Sequence, residues 1–219
     1  MTKHNRDAIR GQAGYTKGAL AAYDFLVLGV SNRLIWRCPT RHLLALYDAH
    51  VSANHLDVGV GTGYFLDRCA FPTPKPRLVL LDLNPNCLEF TASRIERYAP
   101  KSYRRNVLEP LDIDEKAFDS IAVNYLLHCL PGAIHTKTAV FRNVNAFLKP
   151  GGIVFGATLL QGGVQRSFLA KRLMDFYNAK RVFTNVADDL VGLKRILADH
   201  YSECATDVRG CAALFWARK

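Results

Sequence analysis

His55-Leu56-Asp57-Val58-Gly59-Val60-Gly61-Thr62-Gly63-Tyr64-Phe65 is the stretch whose reading decides the fold. A short apolar run ends in three alternating glycines and passes into helix-compatible residues, the pattern of a strand, a tight turn and a helix. Glycine permits dihedrals and close approaches that a Cβ forbids, so such a turn lets a ligand rest against bare backbone. A GxGxxG dinucleotide loop would need glycine at position 64, where Tyr64 stands, and no Lys or Arg lies in the loop to meet a pyrophosphate.

Outward from this stretch, short β-branched or leucine-rich runs alternate with longer helix-compatible segments. That is the signature of an α/β fold with a mostly parallel, doubly wound sheet. Strands are expected at 55–60, 77–82, 103–106, 120–125 and 152–158. Two more, 204–208 and 212–217, are separated only by the turn around Arg209-Gly210, too short for a crossover, and are therefore antiparallel. The total is about seven strands. Residues 17–50 carry apolar side chains at helical spacing, among them Tyr23, Phe25, Leu26, Leu34, Ile35 and Trp36, with Pro39 starting the next helix. Helical runs are also expected at 167–180 and 187–201, and Phe71 to Pro76, with three prolines, reads as a stiff loop.

With 219 residues, 49% of them apolar, the chain can bury one large core. We expect a single domain: an N-terminal helical lid at 1–50, a binding core at 51–161, a helical cap insertion at 162–200 and a C-terminal hairpin at 201–219. The polar start and the lack of any long apolar run predict a cytoplasmic protein that neither crosses nor enters a membrane. Six cysteines without a CxxC pair read as free thiols. The net charge of +10 invites a polyanionic partner, but the basic residues occur singly or in pairs, which argues against a nucleic-acid tail. A monomer or homodimer acting on a small molecule is expected.

Four further segments carry chemistry. Leu78-Val79-Leu80-Leu81-Asp82-Leu83-Asn84 is a buried strand ending in an acid 25 residues beyond Asp57, the spacing of one βαβ step. It sets Asp82 where a carboxylate can bind ribose hydroxyls, with Leu83 suited to cover an adenine face. A helix cap is the alternative role for Asp82, and Asn84 could fill that role as well. Asn106-Val107-Leu108-Glu109-Pro110 follows a third strand, and the Asn106 carbonyl can accept from an adenine amino group, or the residue is a plain turn asparagine. Phe118-Asp119-Ser120-Ile121-Ala122-Val123-Asn124-Tyr125-Leu126-Leu127-His128-Cys129-Leu130 reads as a fourth strand leaving the core through Asn124 and Tyr125. Leu148-Lys149-Pro150-Gly151-Gly152 makes a tight turn before the fifth.

As a set, these motifs resemble the class I S-adenosylmethionine-dependent methyltransferases, of the type 11/12-like stand-alone kind found in bacterial or fungal secondary metabolism. The resemblance covers roughly residues 51 to 160 and the final hairpin, and it implies a Rossmann-like fold. It also implies S-adenosylmethionine as cofactor, S-adenosylhomocysteine as product, and methyl transfer to an O or N atom of a small, largely apolar metabolite. The residues it implies for the cofactor are Asp57, placing the ammonium, with Gly59, Gly61, Gly63, Asp82, Leu83, Asn106, Val107 and Asn124. His128 stands where a general base could act, its ordinary pKa near ~6.5 suiting it to take a proton at neutral pH; simple packing is the other role open to it. Candidate pocket walls are Tyr15, Tyr23, Trp36, Phe168, Met174 and Tyr177. The fourth strand ends in neither Asn-Pro-Pro-Tyr nor an aspartate, so neither a base-flipping site nor a magnesium site is expected. Two other readings stay open: an RNA-modifying methyltransferase, and a cofactor-binding, non-methylating pericyclase-like member of the fold.

Overall fold

The structure, a computed structural model, describes residues 24–219 apart from Lys116, with only the backbone of Phe25. Tyr15 and Tyr23 lie outside the described residues. Seven strands form one sheet in the order β3-β2-β1-β4-β5-β7-β6. They are β1 (Asn54–Val58), β2 (Arg77–Asp82), β3 (Lys101–Arg104), β4 (Phe118–Asn124), β5 (Leu148–Leu159), β6 (Glu203–Arg209) and β7 (Ala212–Arg218). The first five pair in parallel, while β7 runs antiparallel to both β5 and β6.

Sequence and structure differ at the strand ends for identifiable reasons. β1 stops at Val58 and not Val60, because Gly59 takes φ +77° and turns the chain out of extended geometry. β3 ends at Arg104 because the next residues close a turn in which the Leu108 N–H donates to the Asn106 side-chain oxygen. β5 starts at Leu148, earlier than expected, and a register shift between Phe118 and Ser120 accommodates Pro150, Gly151 and Gly152.

Helices cover both faces. In order they are α1 (Thr40–His50), α2 (Tyr64–Arg68), α3 (Pro85–Arg94), α4 (Thr138–Asn145), α5 (Phe168–Ala179) and α6 (Leu190–His200). A π-helix, Asp24–Ile35, precedes them, and Pro39 is the residue before the first turn of α1. Alternate residues of the parallel strands enter different cores. Leu56, Val58, Val79, Leu81, Ile121 and Val123 pack with α4 and α6, whereas Leu78, Leu80, Ala122 and Phe155 pack with Tyr47 of α1 and with α3. Asn84 caps α3 by accepting the Asn86 N–H at 2.9 Å, ahead of Pro85; Ser167 and Asp189 cap α5 and α6 in the same way.

The order of strands reverses direction between β1 and β4, so the carboxyl ends there frame the crevice in which ligands of doubly wound sheets bind. Two attachments fix what surrounds it. Asp24 of the π-helix accepts from Thr62 Oγ1 and Arg94 Nη2, each at 2.6 Å, tying that helix to the glycine loop and to α3. The segment between α5 and α6 is held by a wholly buried ion pair, Lys137 Nζ to Asp188 Oδ2 at 2.5 Å, and the same ammonium donates to the Thr184 carbonyl at 3.2 Å.

Removing one member of a buried pair strands the other charge, whereas replacing both with apolar residues is often tolerated. In urea unfolding, Lys137→Met should therefore lose about 4 kcal/mol, and Lys137→Met combined with Asp188→Leu should recover most of it. A single variant as stable as the parent would contradict this placement.

Candidate active site

A pocket of about 1080 Å³, counting its open mouth, lies over the tips of β1 to β4. Its floor is the glycine loop. Gly59, Gly61 and Gly63 all have positive φ, but two of them serve different ends. A Cβ on Gly63 would meet Thr91 of α3 at 2.7 Å, so this glycine lets the loop pack on the helix. One on Gly61 would meet no atom within 4 Å and would project into open space, where bare backbone lets a ligand approach.

Asp82, at the tip of β2, reaches across to this loop. Its carboxylate accepts the Asn84 N–H at 2.8 Å and is also reached by the backbone N–H groups of Val60, Gly61 and Leu83. Burial nevertheless pushes its pKa up to about 6, against the lowering effect of those donors. The ion is short of solvation, and a pair of hydroxyl donors would relieve it. Since Asn84 caps α3, capping is not the task of Asp82.

Asp57 points from β1 into the same pocket, its Oδ2 accepting the Tyr47 hydroxyl at 2.8 Å. On the other side, Asn106 and Asn124 each keep a buried polar atom without a partner among the described residues, the Asn106 Nδ2 and the Asn124 Oδ1. Unsatisfied buried groups on a pocket wall point to a ligand that completes them. The Asn106 carbonyl is already used by Leu108, so this side chain offers the pocket a donor, where the sequence had suggested an acceptor. Leu83, Val107, Arg105, Leu28, Leu126 and Leu130 complete much of the wall.

The pocket thus brings together Asp57, Gly59, Gly61, Asp82, Leu83, Asn106, Val107 and Asn124, with Gly63 just outside its lining. The expected aromatic walls are elsewhere. Trp36 and Met174 are buried in a packed cluster with Phe183, Phe168 is exposed beneath the Arg172 guanidinium, and Tyr177 packs at a tilt against Phe183. Trp36, Met174 and Tyr177 fill contacts within the core, the commonest use of large apolar side chains at helical spacing. Unforeseen in the sequence were Tyr47, Leu28 and Tyr125, the last held at φ +53° where the chain leaves β4.

His128 lies behind the pocket wall, not in it. The ring sits edge-on to Tyr125 at 5.5 Å and to Phe183 at 4.6 Å, with Nδ1 accepting the Leu159 N–H at 3.3 Å. Burial, with the Lys137 charge as a smaller influence, drives its pKa down to about 3, so the ring is neutral at physiological pH. Among the described residues no group of three His, Cys, Asp or Glu side chains could hold a metal ion, and no helix is long and apolar enough to cross a membrane.

A seven-stranded sheet of this order, with a glycine loop on β1 and an acid at the tip of β2, is a doubly wound α/β architecture with its pocket at the β1/β4 switch point. Comparison with known proteins agrees. Residues 56–154 match the family model described as a methyltransferase domain. The chain is 41% identical over 213 residues to demethylluteothin O-methyltransferase of Streptomyces thioluteus, covering 97% of this chain and 93% of that one. It is 37% identical over 212 residues to the physcion biosynthesis cluster O-methyltransferase of Aspergillus chevalieri, covering 96% and 95%. Among solved structures, the DhpI–SAH complex superposes with a TM-score of 0.69 at 16% identity, covering 98% of this chain and 97% of that one. The chain belongs to the class I S-adenosylmethionine-dependent methyltransferases that act on small molecules, and it is an enzyme of that class.

The depressed pKa of His128 has a thermodynamic consequence. Below the unfolded value near 6.5 the unfolded chain takes up a proton that the folded ring refuses, so stability present above pH ~6.5 is lost progressively as pH falls toward 3. Between pH 6.5 and 5 the unfolding free energy should drop by about 2 kcal/mol more in the parent than in His128→Gln. Equal slopes for the two proteins would show that the ring is not buried neutral.

Proposed function

We propose that this enzyme holds S-adenosylmethionine across the tips of β1 to β4 and methylates an oxygen or nitrogen of a small, largely apolar molecule. The chain acts as one domain, in which the described part of the N-terminal segment contributes Leu28 and Tyr47 to the pocket wall. The observation that carries this is the match between the pocket's unsatisfied groups and a sulfonium nucleoside. Asp82 would accept the ribose hydroxyls, Asn106 Nδ2 would donate to an adenine ring nitrogen, and Leu83 and Val107 would bracket the ring. Asp57 and Asn124 would take the ammonium of the amino-acid portion, and Gly61 leaves room for it while Gly59 and Gly63 let the loop pack closely on Leu126 and Thr91.

When bound, the cofactor supplies a methyl group on a positively charged sulfur, a carbon already activated for transfer. The protein's part is then orientation and exclusion of water. Leu28, Leu126 and Leu130 give the pocket apolar walls, and burial keeps the Cys129 thiol at about 12 and Cys87 well above its usual value, so both stay uncharged. A wall of this kind favours an apolar acceptor. With its Nδ1 occupied, His128 fits a positioning role better than that of a base: a neutral ring that supports Tyr125 from behind. The acceptor is accordingly an acidic hydroxyl or N–H that gives up its proton to water at the pocket mouth. Relatives named for O-methylation, together with the N-methyltransferase vrtF of Penicillium aethiopicum at 34% identity, support both acceptor atoms.

Titration calorimetry with S-adenosylhomocysteine should show one site. Affinity should weaken as pH falls through about 6, because protonation removes one of the two acceptor positions that Asp82 offers a diol. Asp82→Asn should bind at least about 10-fold more weakly. Radiolabelled methyl transfer should reach members of a phenol panel and leave bulk tRNA unlabelled. Absence of S-adenosylhomocysteine binding would overturn the proposal, and labelled tRNA would redirect it to RNA modification.

A further inference from the structure

Behind Asp57 lies a chain of buried polar side chains that the reading above does not use. His55 and Asp57 are two apart on β1, so strand alternation sets both on one face, and Tyr47 of α1 packs over them. The Tyr47 hydroxyl donates to Asp57 Oδ2 at 2.8 Å, and His55 Nε2 stands 3.7 Å from the same oxygen. His55 is wholly buried; Nδ1 meets Ser120 Oγ at 2.8 Å, and Ser120 in turn meets Ser52 Oγ at 2.7 Å. Its Nε2 has no hydrogen-bond partner among the described residues, and at 3.7 Å it stands beside the carboxylate just beyond hydrogen-bonding distance.

Packing locks both rings. Tyr47 stacks on Phe65 at 5.0 Å and meets Phe155 edge-on at 5.1 Å, while His55 stacks on Phe155 at 5.7 Å. Burial and the neighbouring Asp57 charge hold the Tyr47 pKa well above its usual value, so the phenol remains a donor. One carboxylate oxygen is thereby held from behind by the Tyr47 hydroxyl, with the His55 ring packed beside it. Among the described residues no hydrogen bond reaches the other, Oδ1, and Asp57 lines the pocket.

We propose that Tyr47 and His55 are positioning residues that clamp Oδ2 of Asp57 and so present Oδ1 to a cationic group of the ligand, making the site selective for the amino-acid tail of the cofactor over its nucleoside. This rests on the cofactor placement proposed above. A residue that merely supports the glycine loop would affect every nucleoside ligand equally. A clamp on Asp57 acts only on ligands that carry the ammonium.

The test compares S-adenosylhomocysteine with 5′-methylthioadenosine, which keeps the adenosine and thioether and lacks the amino-acid tail. Tyr47→Phe preserves the ring packing and removes the donor; it should weaken S-adenosylhomocysteine binding about 10-fold and leave 5′-methylthioadenosine within about twofold. His55→Phe keeps the stack on Phe155 and should shift the same ratio in the same direction, which gives a second reading should Tyr47→Phe fail to fold by circular dichroism. In an Asp57→Asn background the Tyr47 substitution should no longer change the ratio. Equal weakening of both ligands, or no change in either, overturns the clamp while leaving the proposed function intact. Failure of the parent protein to bind either ligand overturns both.

Discussion

The site depends on one cross-strand contact, the buried carboxylate of Asp82 lying against backbone N–H groups of the glycine loop. It joins the tips of β1 and β2 at the edge of a parallel sheet, where backbone donors would otherwise end unpaired. The positive φ angles at Gly59, Gly61 and Gly63 swing the loop back toward β2, and Gly61 is left bare on the pocket side. Burial of the ion is unfavourable until further donors arrive, as its raised pKa records. The same interaction therefore shapes the loop and leaves a demand that a diol can meet.

Around this contact the pocket divides by polarity. Asp57, Asp82, Asn106 and Asn124 stand where β1 to β4 end, while leucines and uncharged thiols make up much of the remaining wall. Behind the wall Lys137 is paired with Asp188 and His128 is kept neutral, while the Arg105 guanidinium stands in the lining itself. The N-terminal π-helix contributes Leu28 to the wall and is fastened to the loop through Asp24, so wall and floor are parts of one hydrogen-bonded unit.

The centre of the sheet was legible because β1, β2 and β4 are buried on both faces and read as apolar runs, and the C-terminal pair because the short Arg209-Gly210 link forces it to be antiparallel. The residues at the strand tips were legible as well, since glycine and acid positions follow from the βαβ repeat. Less could be read of the helices. Trp36, Met174 and Tyr177 have the spacing of a helical face, and nothing in spacing distinguishes a face turned to a ligand from one turned to the core. His128 stands next to a strand end, yet its burial depends on Phe183, which comes from a loop 55 residues later in the chain. The Tyr47 to Asp57 bond and the Lys137 to Asp188 pair also depend on tertiary packing, and no local pattern announces them.

The most direct measurement is a crystal structure of the protein with S-adenosylhomocysteine. The account requires both ribose hydroxyls within hydrogen-bonding distance of the Asp82 carboxylate and the amino-acid tail against Gly61 and Asp57. A ligand bound elsewhere, or a ribose that leaves Asp82 without contact, would contradict it.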